Sequence, residues 1–250
     1  MKKITTLIIL VFSVFSCEDI LKEIPKDRIS EANFYKTVSD GRAAVDAIYG
    51  VLSAGQLFAH QYLLQIEIPA DFAYGRGSTI PIGGEYTGLD AVNQRRVGLM
   101  WDYFYRAVNY ANIAIEKIPG IEGDESAKTA LVAEAKFLRA LCYYHLVRDF
   151  GSVPLRLNST DGDMARTPVA DVYNAVIADL QAAESGLPAS ITVFGRPSKW
   201  GAKIMFAEVY LTLGDFAKAR DKAKEVMDSG AHSLVQITKL DDWDNLFGPT

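Results

Sequence analysis

Apolar positions recur at helical spacing through most of this 250-residue chain. Behind Ser39 and Asp40, residues Ala43, Ala44, Ala47, Ile48, Val51 and Leu52 share one face, and Gly55 is placed to end that helix. A second helix is predicted from near Leu99 to Ile118, stopped by Pro119-Gly120. A third is predicted from about Ala127 to Phe150, with Gly151 just past its end and Pro154 barring continuation. Ala135, Leu138, Leu141, Cys142 and Leu146 surround its axis, so this helix should be buried on most sides. Thr167-Pro168 reads as N-cap and first residue of a fourth helix, which carries Val172, Val176, Ile177 and Leu180 and ends at Gly186. Ser198 caps a helix ending at Gly214, and Asp215 caps another ending near Gly230. Strand character is confined to Ser233 to Ile237. Residues 69–98 break the period with Pro69, Pro81, Gly75, Gly77, Gly83, Gly84 and Gly88, which predicts a long irregular loop of the kind that often carries function.

The fold class that follows is all-α, with antiparallel helix pairs and long irregular loops. Tyr210, Gly214, Asp215 and Ala219 resemble the turn inside a tetratricopeptide repeat: glycine ends one helix, aspartate caps the next, and alanine lets them approach. Ala223 stands where such repeats place a bulky aromatic, so the match is partial.

The N-terminus follows a different logic. Lys2 and Lys3 precede an apolar run from Ile4 to Phe15 that is too short to span a bilayer. The run closes on Ser16-Cys17, which resembles a bacterial lipobox. Residues 1–16 then read as a signal peptide and 17–38 as a lipid anchor on Cys17 with its tether, leaving 39–250 as the helical domain. Glu18, Asp19 and Glu23 resemble the surface-export signal of Bacteroidetes lipoproteins. The expected location is the outer membrane, lipid-anchored and surface-exposed.

A net charge of −5 gives no basic footprint for nucleic acid. His60, His145 and His232 share no metal-ligand spacing, and neither a phosphate loop nor a nucleophile elbow is present, so no metal, cofactor or catalytic residue is expected. Cys142, inside a helix, reads as a small buried apolar residue. Around the 69–98 loop, Glu67, Asp71, Glu85 and Asp90 could serve a glycosidase only if two of them converged. Aromatic rings are the better candidates, because sugars present apolar C–H faces that pack on them while polar groups hold the hydroxyls. The candidate ligand set is Asp71, Tyr74, Arg76, Tyr86 and Asn93. Phe72 and Tyr74 could instead pack the loop onto the helices.

The stretch Ala133 to Leu155, reading Ala-Glu-Ala-Lys-Phe-Leu-Arg-Ala-Leu-Cys-Tyr-Tyr-His-Leu-Val-Arg-Asp-Phe-Gly-Ser-Val-Pro-Leu, resembles the signature helix and turn of the SusD/RagB family. Trp101, Tyr103, Ala111 and Asn112 before it match in order, as do Arg166, Tyr173, Asp179 and Gly195-Arg196-Pro197-Ser198 after it. The resemblance implies a non-enzymatic lipoprotein that binds a nutrient, typically a glycan, and delivers it to a SusC-like TonB-dependent transporter. A helical-repeat scaffold for protein–protein contacts is the alternative. Family members are longer, so a chain truncated at its C-terminal end is expected, with Phe206, Tyr210 and Val226 as a flank that further helices would cover. The anchor expectation has a direct check: Cys17→Ala should abolish incorporation of labelled palmitate, and equal labelling of the variant would rule out a lipid on Cys17.

Overall fold

A computed structural model describes residues 34–70, 73–79, 85, 87–191, 193–234, 236–239 and 242. The signal peptide, Cys17 and most of the tether lie outside the described residues. Seven α-helices and two short 3-10 turns are found among them: α1 Val38–Leu52, α2 Gln61–Glu67, α3 Ala91–Lys117, α4 Glu125–Phe150, α5 Val169–Gly186, α6 Lys199–Thr212 and α7 Phe216–Asp228, with 3-10 turns at Gly77–Thr79 and Ile118–Gly120.

The caps explain most boundaries. Thr37 forms a capping box with Asp40 and starts α1 before the expected Ser39. The helical body also begins before residue 39, because Phe34 and Tyr35 already pack on the core. Asp90 accepts from the Asn93 amide at 2.8 Å and starts α3 at Ala91, not near Leu99. The first two turns of α3 carry Asn93, Gln94, Arg95, Arg96 and Gly98, so no apolar face announces them. The expected loop at 69–98 is therefore helical in its last eight residues. A further short helix, α2, precedes it. Asp124, Ser198 and Asp215 cap α4, α6 and α7 through their side chains. At α5 the expected cap is displaced by one residue: the Thr167 amide donates to the Val153 carbonyl at 2.9 Å, and Pro168 takes the cap position. The described residues at 233, 234, 236 and 237 form no strand.

The tetratricopeptide-like turn is present. Gly214 has φ +77°, a conformation costly for other residues, Asp215 donates its amide to the Tyr210 carbonyl at 2.9 Å, and Ala219 is buried between the two helices. Helices consecutive in the chain are neighbours in space: α3 packs on α4, α4 on α5, α5 on α6 and α6 on α7, with α1 against α3 and α4 and α2 against α3.

Helix α4 runs through the centre. Leu131, Ala135, Leu138, Cys142, Tyr143 and Leu146 are buried around its circumference, while Leu141 is half-buried. Phe206 and Val226 are also buried, and the apolar surface of this end is carried by Leu211, Phe216 and Met227. Arg139 lies buried in α4. Its Nε and Nη2 donate to the two Asp179 oxygens at 2.7 and 2.8 Å, and its Nη1 donates to Asn112 Oδ1 at 2.8 Å and the Leu157 carbonyl at 2.9 Å. One guanidinium thus ties α4 to α3, to α5 and to the segment between α4 and α5. A second node is Glu134, which receives Arg42, Arg196 and the Tyr49 hydroxyl at 2.6 to 2.9 Å. Burial would raise the Glu134 carboxyl, but these donors outweigh it and hold it below the usual carboxylate range.

Removing one partner from a buried pair leaves a charge uncompensated, which costs about 3–5 kcal/mol. Asp179→Ala should lower the urea unfolding free energy by that amount, and a loss under about 1 kcal/mol would show that the Arg139 node does not organise the core.

Candidate functional site

The loop region and α2 build a cleft on one side of the molecule. Its inner support is aromatic. Phe58, Tyr62 and Phe104 surround the His145 ring, with centroid separations of 5.0 to 5.9 Å. Burial, with a smaller push from Arg148, lowers the His145 imidazole to about 4, and burial raises the Tyr62 phenol. Both are therefore uncharged near neutral pH, and they share a hydrogen bond of 2.6 Å between the Tyr62 hydroxyl and His145 Nδ1. His145 is thus a structural residue. It fixes the inner face of α2, whose outer face presents Leu63, Leu64 and Glu67.

The opposite wall is the segment 73–79 with Arg96 of α3. Together these walls enclose a cleft of about 610 Å³. Thr79 folds the segment back, donating its hydroxyl to the Arg76 carbonyl at 2.8 Å. Gly75 is required where it stands: a Cβ there would lie 2.6 Å from the Thr79 carbonyl oxygen. The segment is braced from α3. Asn93 Nδ2 donates to the Ser78 carbonyl at 3.0 Å, Arg96 Nη2 donates to Ser78 Oγ at 2.8 Å, and Arg96 Nη1 donates to Asn93 Oδ1 at 2.8 Å.

The five expected ligand residues separate accordingly. Tyr74 and Arg76 line the cleft, and the Tyr74 ring is 73% exposed, so it does not pack the segment onto the helices. Asn93 is fully buried, and its amide is committed to Ser78 and Arg96, so it supports the wall from beneath. Asp71 and Tyr86 lie outside the described residues, as does Phe72. The lining residues His60, Leu63 and Arg96 were not singled out from the sequence, and Glu67 was weighed there only as one of a glycosidase pair. Arg96 was findable from the cap at Asp90, since a helix starting there sets Asn93 and Arg96 one turn apart on the same face. Among the described residues, Glu67 is the one carboxylate lining the cleft. Asp90 is engaged as the α3 cap. No group of three or more potential metal ligands occurs among the described residues.

Residues 83–211 match the model of a SusD-like family described as starch-binding proteins associating with the outer membrane. The chain is 33% identical over 249 residues to a SusD-like protein of Formosa agariphila, covering 97% of this chain and 49% of that protein. A solved laminarin-binding SusD-like protein is 28% identical with a TM-score of 0.72, over 85% of this chain and 48% of that one. A SusD-superfamily crystal structure from Bacteroides thetaiotaomicron is 25% identical with a TM-score of 0.69, over 85% of this chain and 50% of that one. The chain spans about half the length of these relatives. No helix among the described residues is long and apolar enough to cross a membrane.

The depressed His145 gives a pH prediction with a defined sign. An unfolded imidazole protonates as pH falls through about 6.5, while the folded one resists until about 4. Stability is therefore lost across that window, by at most about 1.4 kcal/mol per pH unit. Asp149, one turn along α4, acts oppositely, because burial raises its carboxyl to about 6. Its side is open to solvent, so its contribution is the smaller. In urea titrations, His145→Gln should lose less stability than the parent between these pH values, and Asp149→Asn should lose more. Identical pH profiles for all three proteins would remove this account of the support beneath the cleft.

Proposed function

The chain belongs to the SusD-like family, and we propose that it is a non-catalytic glycan-binding lipoprotein of the outer-membrane surface, held by lipid on Cys17. It passes its ligand to a SusC-like TonB-dependent transporter. The observation that carries the binding assignment is that exposed Tyr74 and Arg76 line one cleft, on a segment held by Asn93 and Arg96. The ring offers an apolar face to the C–H side of a pyranose, and Arg76 donates to its hydroxyls. Because the segment is braced before ligand arrives, little ordering cost is added on binding. Asp71 and Tyr86 complete the contact set in this reading, with Asn93 as the residue that positions the wall. Hydrolysis is not part of this reading. The laminarin-binding relative supports a polysaccharide ligand.

A role in protein contacts has its own support. Ile191, Val193 and Phe194 project from the loop between α5 and α6, with Phe194 95% exposed. Such a loop gives a partner an apolar contact, and this fits the transporter partnership better than a scaffold acting without ligand.

Glycan-array screening followed by calorimetry tests the binding reading. Tyr74→Ala should weaken the array-selected oligosaccharide by about 1–3 kcal/mol, by analogy with stacking on other aromatic platforms, with an unchanged circular dichroism spectrum. Unchanged affinity would move the site away from this cleft, and release of shorter sugars on incubation would make the protein a hydrolase.

A further inference from the structure

Two arginines border the cleft, and neither has a carboxylate partner among the described residues. The chain has 31 acidic and 26 basic residues, so acceptors for arginine are in excess. Among the other described arginines, Arg95, Arg106 and Arg166 have no carboxylate within 4 Å, whereas Arg42, Arg139, Arg148, Arg156, Arg196 and Arg220 each have a guanidinium nitrogen 2.6 to 3.8 Å from a carboxylate oxygen. The two arginines of the cleft do not. Arg96 donates to Asn93 Oδ1 and to the carbonyl and hydroxyl of Ser78, all neutral acceptors. Arg76 is exposed, and among the described residues its guanidinium has neither a hydrogen bond nor an ion pair. Two positive charges, one held and one free, thus border one opening, with Glu67 as the one lining carboxylate among the described residues.

The two guanidinium groups differ in what they can do. Arg96 is held in place by three acceptors and contributes charge from a fixed position. Arg76 keeps all its donors free, and a guanidinium presents paired N–H groups at the spacing of a carboxylate or sulfate. Around Arg76 the cleft presents Leu63, Leu64 and Tyr74 together with the Glu67 carboxylate. A neutral sugar would use Arg76 only through hydroxyl acceptors and leave it without an anionic partner.

We infer that the cleft is selective for negatively charged glycans, whose uronate carboxylate or sulfate ester pairs with Arg76 while the sugar ring lies on Tyr74. This rests on the binding reading above and names the ligand class of the same site. Carboxylate and sulfate share the chemistry that Arg76 recognises, and the test separates them.

Affinity is measured by calorimetry on the full chain with three probes of one backbone: a neutral gluco-oligosaccharide, its uronate counterpart oxidised at the primary hydroxyls, and its sulfated counterpart. At low salt, one or both charged probes should bind at least about tenfold tighter than the neutral one, as expected for a charge-assisted bidentate pair. The better of the two identifies the anionic group. The preference should collapse toward unity near 1 M salt, where the Debye length is about 3 Å. Arg76→Gln should abolish the preference, lowering affinity for the charged probes by at least about tenfold more than for the neutral probe, which loses only hydroxyl contacts. Equal affinity for all three probes, no binding of either charged probe, or a preference that survives in Arg76→Gln would each overturn the inference. The Tyr74→Ala variant keeps the two readings apart. If it loses neutral-probe binding while no charge preference exists, the cleft stands as a glycan site without charge selectivity. If neither variant changes binding of any probe, both readings fail.

Discussion

The Arg139 guanidinium is buried where α3, α4, α5 and the segment after Gly151 converge, and a charge in that position needs acceptors from every side. It has them: both Asp179 oxygens, Asn112 Oδ1 and the Leu157 carbonyl. Desolvating such a group is costly, and the cost is offset only when the geometry is nearly complete. The same demand fixes geometry around it. Helix α5 must present Asp179 at one height, α3 must present Asn112 at another, and the chain after α4 must turn back within reach. Apolar packing would tolerate a helix sliding along its neighbour, whereas this set of hydrogen bonds accepts one register.

From that register the cleft follows. Helix α3 is 27 residues long, and Asn112 near its C-terminal end is held by Arg139. A rigid helix transmits this placement to its first turns, where Asn93 and Arg96 brace the segment carrying Tyr74 and Arg76. On the other side, His145 of α4 fixes α2 through Tyr62. Both walls therefore rest on helices ordered by the central core. In the proposed reading, exposed Tyr74 and Arg76 on a braced backbone make a platform that need not reorganise for a ligand.

The sequence exposed the helices that own an apolar face. Val172, Val176 and Leu180 marked α5, and the residues around α4 marked it as central. The start of α3 was hidden because its first turns bury an asparagine in place of aliphatic residues, and a polar run after a glycine-rich stretch reads as loop. Asp90 carried the signal, but a single capping residue is weak without a periodic face behind it. The short α2 was hidden because seven residues hold too few turns to show a period. The segments that resembled the SusD/RagB family were recognisable separately, yet the contact joining Asn112, Arg139 and Asp179 across 67 residues was not. Long-range ion pairs leave no local pattern. In the site, Tyr74 and Arg76 were legible as an aromatic and a donor in a glycine-rich stretch. Asn93 was misassigned for the same reason that α3 was: exposed loop and buried helix start look alike when the polar residue faces inward.

The central claim is that a pre-ordered cleft between α2 and residues 73–79 receives a glycan. Amide chemical-shift mapping tests it most directly. The isotope-labelled chain, titrated with a gluco-oligosaccharide and then with its uronate counterpart, should show saturable shifts concentrated in residues 60–67, 73–79 and 93–96, with α5 to α7 unmoved. Shifts centred on the loop between α5 and α6, or spread evenly over the helices, would contradict the account.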